Sequence, residues 1–202
     1  MTDASTPDRR AAAEQDLLRA LVRSEAGLAV LTGGQTGVDT YAALAALRGG
    51  LPVHLVFPKG YRQEDGRLTS ARRRDFAGAT LHELIGASFR HRTWTCAYLA
   101  DAIVLLDPAG GAGCRETVRA ARELARPLLY PEPGELLSGQ AADWLRQIGA
   151  RVLMVAGCRG SLLVSQGKER DVQADLTALI AAARRQHERL LAQGGRARAD
   201  PN

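Results

Sequence analysis

The sequence predicts an α/β fold in three layers, a mainly parallel sheet with helices on both faces. Two observations lead there. Short apolar runs alternate with helical patterns through the middle of the chain, and the connections between runs are long enough to carry crossovers, which parallel strands require. Glycine turns close three of those runs, at 33–37, 110–113 and 157–160. With 202 residues the chain suits a single domain that can bury a core.

Each element follows from its local pattern. Residues 1–8 read as a disordered start. Residues 9–26 read as a helix, with Leu17, Leu18, Leu21 and Val22 on one face and Gly27 as its stop. "LAVLT" (28–32) is a buried strand, and "GVDTYAALAALRG" (37–49) is the helix after it. "VHLVFP" (53–58) is a second strand, closed by Pro58. The polar stretch 59–78 has no obvious element and reads as a long functional or mobile loop. "ATLHEL" (79–84) is a short strand, 88–100 a helix, and "DAIVLLD" (101–107) the clearest buried strand. The turn "PAGGAG" leads to a helix at 114–125, a strand at 127–131 and a helix at 138–150. A strand at 151–157 and a long helix at 171–192 close the single ligand-binding domain, 9–192. Residues 193–202 read as a loose basic tail.

Composition narrows the function classes. No apolar run is long enough to span a bilayer and the N-terminus lacks an apolar signal core, so a cytoplasmic protein without membrane partners is expected. The formal charge of +5 comes almost wholly from arginine, since Lys59 and Lys168 are the only lysines. Aromatic residues make up 4% of the chain and no arginine stripe is interleaved with them, which argues against nucleic acid as a partner. Cys96, Cys114 and Cys158 form no C-x-x-C pair, so free thiols are expected and no metal site is assigned. Whether the chain is a monomer or a homo-oligomer, dimer or tetramer, stays open.

In an open parallel sheet, ligands bind beyond the carboxyl ends of the strands, where all three glycine turns must lie. In "TGGQTGVD" (32–39), Gly33, Gly34 and Gly37 allow close backbone approach. Gln35 or Thr36 can cap the next helix, and Asp39 sits in its first turn. The stretch matches neither a dinucleotide fingerprint nor a P-loop, and a turn that binds nothing fits it almost as well. After the second strand come Lys59, a cation for a phosphate, and Glu64, Asp65 and Gly66. Either carboxylate can accept from a sugar hydroxyl or a heterocycle N–H. Arg92 and Thr93 open a helix and can meet phosphate oxygens, with Trp94 as a stacking face or a core residue. In "PAGGAGCRET", Gly110, Gly111 and Gly113 expose amides, while Cys114 and Thr117 lie in the first turns of a helix. That position makes Cys114 the expected reactive thiol. Arg159 and Ser161 follow the last strand.

Taken in order, "GGQTGVD" (33–39), "PKG" (58–60), "EDG" (64–66), "RT" (92–93), "WL" (144–145) and "VAGCRGS" (155–161) resemble the putative molybdenum carrier family, a Rossmann-like group within the SLOG class of nucleotide-ligand-binding folds. The resemblance implies a carrier or sensor for a phosphate-bearing, nucleotide- or pterin-like molecule, with molybdenum cofactor as the suspected ligand. Three positions depart from the pattern: Thr40 replaces an arginine, Ala100 a serine and Cys114 a threonine. A looser resemblance ties "PAGGAGCRE" to the lysine-decarboxylase-like phosphoribohydrolases, which implies Glu116 as a catalytic carboxylate acting on nucleoside monophosphates. Glu116 comes one residue early for that motif, which turns it by about 100° around the helix. No complete catalytic set is legible, so binding rather than turnover is expected, and Gly34→Val is expected to remove the ligand while sparing the fold.

Overall fold

The computed structural model describes residues 6–107 and 110–199. The chain runs through α1 (Thr6–Arg23), β1 (Ala29–Thr32), α2 (Val38–Arg48) and β2 (Val53–Phe57). A small hairpin of β3 (Arg62–Gln63) and β4 (Gly66–Arg67) follows, then α3 (Ser70–Asp75), β5 (Thr80–Glu83), α4 (Phe89–Leu99) and β6 (Ala102–Leu106). The rest is α5 (Ala112–Glu123), β7 (Leu128–Leu129), α6 (Ser138–Ile148), β8 (Val152–Gly157), α7 (Gly160–Gln166) and α8 (Glu169–Ala199).

The main sheet has the order β5-β2-β1-β8-β6-β7, and every neighbouring pair in it is parallel. The last strand is therefore central: β8 pairs with β1 through Leu31↔Met154 and with β6 through Leu106↔Gly157. Strands β1, β2 and β6 are buried at every residue, which is why their sequences read as continuous apolar runs with no alternation. Helices α2, α6 and α8 pack together as one layer, and α1, α4 and α5 as the other. The predicted α/β sandwich is the observed one.

The differences lie in the connections and at the ends. Residues 59–78 are not an unstructured loop: they hold the β3–β4 hairpin and α3, whose N-cap Thr69 accepts a hydrogen bond from the Arg72 amide. Helix α7 has no counterpart in the sequence reading. Helix α1 starts at Thr6, and α8 continues to Ala199, past the expected end at 192. Gly194 and Gly195 cost about 1 kcal/mol each in a helix, but the alternating alanines and arginines around them are strong helix formers. Of the ends expected to be disordered, 1–5 and 200–202 lie outside the described residues, as do Pro108 and Ala109.

Candidate functional site

Because the strands are parallel, the turns after β1, β6 and β8 meet at one edge of the sheet. There they border a cleft of about 580 Å³. Each turn feeds a helix N-terminus, whose unpaired amides attract an acceptor. What fills each N-terminus decides where a ligand can bind.

The first turn is filled by the protein itself. Asp39, buried in the first turn of α2, accepts from the Gln35 amide at 3.2 Å and from Nη1 of Arg92 at 3.1 Å. Burial pushes the Asp39 carboxyl above its usual range, opposed by Arg92 and by the amides of Gln35 and Gly33. The Gly34 amide turns to Thr32 Oγ1, and the Thr40 hydroxyl donates to the Gln35 carbonyl at 2.8 Å. Neither Gln35 nor Thr36 caps α2, whose N-cap is Gly37. The Gln35 amide oxygen instead accepts from the Glu64 and Thr36 amides, which docks the hairpin onto the turn.

The third turn is filled as well. Glu64 reaches across from the hairpin and accepts from the hydroxyls of Thr36 and Ser161 and from the Ser161 amide, and Arg159 lies 3.3 Å away. One carboxylate thus ties the first turn, the hairpin and α7 together.

The second turn, among the described residues, is filled less: Asp107 accepts from the Gly111 amide at 3.4 Å. Helix α5 starts at N-cap Gly111 with no side-chain cap, and Gly111, Ala112, Gly113 and Cys114 all line the cleft. Around them stand Arg90, Arg92, Thr93, Glu116 and Thr117, with Phe89, Met154 and Leu162 as apolar walls. The lining charges are matched in pairs: Arg92 with Asp39, Arg159 with Glu64, and Arg90 with Glu116. The pairs are not equivalent. The Arg92–Asp39 pair is buried, whereas the side chains of Arg90 and Arg159 are 61% and 55% exposed. Exposed pairs are worth about 0–1 kcal/mol, so these two arginines can turn to a ligand at small cost. Arg92 has an acceptor deficit: its Nε is buried and has no partner.

Sequence comparison places the chain in a family. The pattern described as "Circularly permutated YpsA SLOG family" matches residues 30–182. The chain belongs to the circularly permutated YpsA SLOG family. The permutation fits the topology, since moving β8 to the front of the chain turns the sheet into a doubly wound order counting outward from a central first strand. This SLOG chain is similar in fold to the crystal structure of the "Putative molybdenum carrier protein" from Syntrophus aciditrophicus SB, with a TM-score of 0.63 at 22% identity over 77% of this chain and 95% of that one. Looser likenesses reach Escherichia coli tRNA N6-threonylcarbamoyladenosine dehydratase, TcdA (TM-score 0.40, 12% identity, 96% and 100% of the two chains) and the apo form of AtPrR2 (TM-score 0.37, 14% identity, 66% and 49%). No curated protein matches the chain.

Of the residues singled out from sequence, the SLOG cleft gathers Gln35, Asp39, Glu64, Arg92, Thr93, Gly111, Gly113, Cys114, Glu116, Thr117 and Arg159. Gly33, Gly34, Thr36, Gly37 and Gly110 stand behind it as turn backbone and are not part of its lining. Lys59 faces a separate hollow with Tyr61, Arg67, Arg73 and Glu83, because the chain turns away after β2. Asp65 points outward to Arg72 at 2.7 Å, so Glu64 alone of the pair reaches the cleft, and Gly66 belongs to the hairpin. Trp94 is half-buried outside the cleft, its indole N–H donating to Glu116 and its ring flanked by Arg90 and Arg119. Arg90 and Trp94 both bind Glu116 Oε1, and these hydrogen bonds hold its carboxyl below the usual range.

Cys114 corrects another expectation. It is buried, and its hydrogen bond with Cys158, its burial and the Asp107 charge all push the thiol well above its usual range. The helix N-terminus does not make it reactive, because the neighbouring groups outweigh the dipole. Sequence reasoning missed Phe89, Arg90, Met154, Ala156, Cys158 and Leu162. Three of these sit on or just after β8, whose central place cannot be read from local pattern.

Among the described residues no helix is long and apolar enough to cross a membrane.

Proposed function

We propose that this SLOG protein binds a small molecule bearing a phosphate and a flat heterocycle, of nucleotide or pterin type, as a carrier or sensor. The observation behind this reading is that, among the described residues, the α5 N-terminus opens on the cleft with no side-chain cap, Asp107 reaching only its Gly111 amide, whereas carboxylates from Asp39 and Glu64 fill the other two turns. The phosphate is assigned to the amides of Ala112 and Gly113, with Arg90 and Arg159 swinging onto it and Arg92 supplying fixed positive charge. Phe89, Met154 and Leu162 offer the apolar face for the heterocycle, and the cleft volume lies in the range of small-molecule sites. The Syntrophus protein of similar fold is a putative molybdenum carrier, and molybdenum cofactor fits on these terms: its phosphate suits the α5 turn and its pterin the apolar wall. When bound it would supply redox chemistry at its metal. We further propose that the protein works in the cytoplasm, and that any dimer or tetramer forms outside the cleft edge.

Gly113 provides the test. A side chain there meets no atom within 4 Å, so substitution leaves the packing intact. Gly113→Asp puts a carboxylate where the phosphate is assigned, while acidic groups in a first helical turn are favourable to the helix by about 0.3–1 kcal/mol. Nucleoside monophosphates and phosphorylated pterins are expected to raise the melting temperature of the native protein. In Gly113→Asp the ligand-free value is expected to hold and the ligand-induced rise to vanish. A rise that survives in Gly113→Asp removes the assignment.

A further inference from the structure

At the buried side of the cleft lies a side-chain cluster to which the proposed ligand site assigns no role. Asp107 follows β6, Cys114 sits in the first turn of α5, and Cys158 follows β8. One ligand atom from each lies within 4.8 Å of the other two, and all three residues are buried. The Cys158 thiol donates to Asp107 Oδ1 at 2.6 Å. The Cys114 and Cys158 sulfurs lie within 4.8 Å of each other, and both residues line the cleft. Asp107 is oriented by neighbours: Gly111 N–H lies 3.4 Å from Oδ1 and the Tyr130 hydroxyl 3.4 Å from Oδ2.

We infer that Asp107, Cys114 and Cys158 form a binding site for a thiophilic divalent cation of the zinc class, with its fourth coordination position open to the cleft. Two thiolates and one carboxylate select zinc, cadmium or cobalt over magnesium or calcium, which take oxygen ligands. The geometry is close to what is needed. Tetrahedral zinc with bonds of about 2.3 Å to sulfur and 2.0–2.2 Å to oxygen spaces its ligand atoms by roughly 3.5–3.8 Å. The Cys158–Asp107 contact must open by about 1 Å, and the other two separations are already within 4.8 Å. Two thiol protons leave as the cation enters, so affinity must rise with pH. Three protein ligands with one open position mark an exchangeable or ligand-accepting centre rather than a closed structural one. The neighbours holding Asp107 supply the outer support that metal ligands need. This inference does not depend on the phosphate reading, because it rests on different side chains.

The test uses the full chain, reduced and freed of metal with a chelator. Zinc is titrated against a chromophoric competitor, and cobalt(II) is added separately as a spectroscopic probe. One equivalent of zinc is expected, with affinity increasing from pH 6 to pH 8. The cobalt form is expected to show tetrahedral d–d bands and thiolate-to-cobalt charge-transfer absorption. Cys114→Ser and Cys158→Ser are each expected to weaken zinc binding at least 100-fold. Cys96→Ser, at a buried thiol outside the cluster, is expected to leave it unchanged. Reduced protein that binds no stoichiometric zinc overturns the inference, as does binding that survives both serine variants. A cobalt spectrum lacking thiolate charge transfer overturns it from the native protein alone, even if a variant fails to fold. Air oxidation that joins the two thiols, with no zinc bound after reduction, would make the cluster a disulfide pair instead.

Discussion

Arg92 reaches Asp39 only because residue 33 has no side chain: a Cβ there would overlap Nη1 of Arg92 and come within 2.8 Å of Asp39 Oδ2. Gly33 therefore makes room for a buried ion pair. Gly34 has a stricter requirement. Its φ is +65°, and a Cβ would press into the ring of Phe57, which is fully buried on β2. The sequence expectation that Gly34→Val spares the fold is thus reversed. We predict that Gly34→Val lowers unfolding stability by about 2–4 kcal/mol in urea titration, through left-handed strain and overpacking. The glycine spacing of "GGQTGVD" was legible as a tight strand-to-helix turn. The occupant of that turn was not, because Arg92 lies 53 residues from Asp39 and only the folded chain brings them together.

Elements are held in place by single buried acceptors. Asp175 on α8 accepts from the amides of Gly134 at 2.8 Å and Leu136 at 3.0 Å, and it is 2% exposed. It fixes the connection between β7 and α6 against the long closing helix. Leaving two buried amides without an acceptor costs about 1–3 kcal/mol each, so Asp175→Ala is predicted to destabilise the protein by roughly 2–4 kcal/mol. Asp175→Asn keeps an oxygen for only one amide and is expected to fall between the two in thermal or urea unfolding. At this scale the sequence served well for the strands and long helices, whose apolar runs and glycine stops are local. It served poorly for 59–78, where the hairpin forms by docking on residues far away: Gln63 donates to the Gly34 carbonyl at 2.7 Å. The polar composition that made the segment read as loop is the composition that ties it down. Helix α7 escaped notice because it is short and only Leu163 is buried in it.

The stability of the whole molecule carries a pH signature. His54 on β2 and His82 on β5 are buried, their rings stacked 5.2 Å apart and joined by a 2.9 Å hydrogen bond between Nδ1 and Nε2. Burial lowers both imidazoles, and the neighbouring His54 adds to the effect on His82, which falls to about 4. Unfolding releases these groups to the ordinary value of 6.5, so below that pH the unfolded chain binds more protons than the folded one. Stability is therefore present above pH 6.5 and is lost as pH falls toward 4. The loss is predicted to be on the order of 2 kcal/mol in urea titrations at pH 7 and pH 4.5, and smaller in His82→Gln. Glu25, with Oε1 3.7 Å from His54 Nε2, favours the protonated form and limits the effect. The sheet that holds this pair was predictable as a parallel α/β layer, but its order was not, since nothing local marks β8 as its centre. That placement has a consequence for biosynthesis. Chain leaves the ribosome at about 5–20 residues per second. Until β8 has emerged, β1 and β6 each lack the central strand with which both pair in the folded sheet. The nascent protein thus spends several seconds with its future centre exposed to other chains. The last strand acts as a keystone, and a stall in translation before residue 152 leaves a species open to chaperone capture or edge-to-edge aggregation.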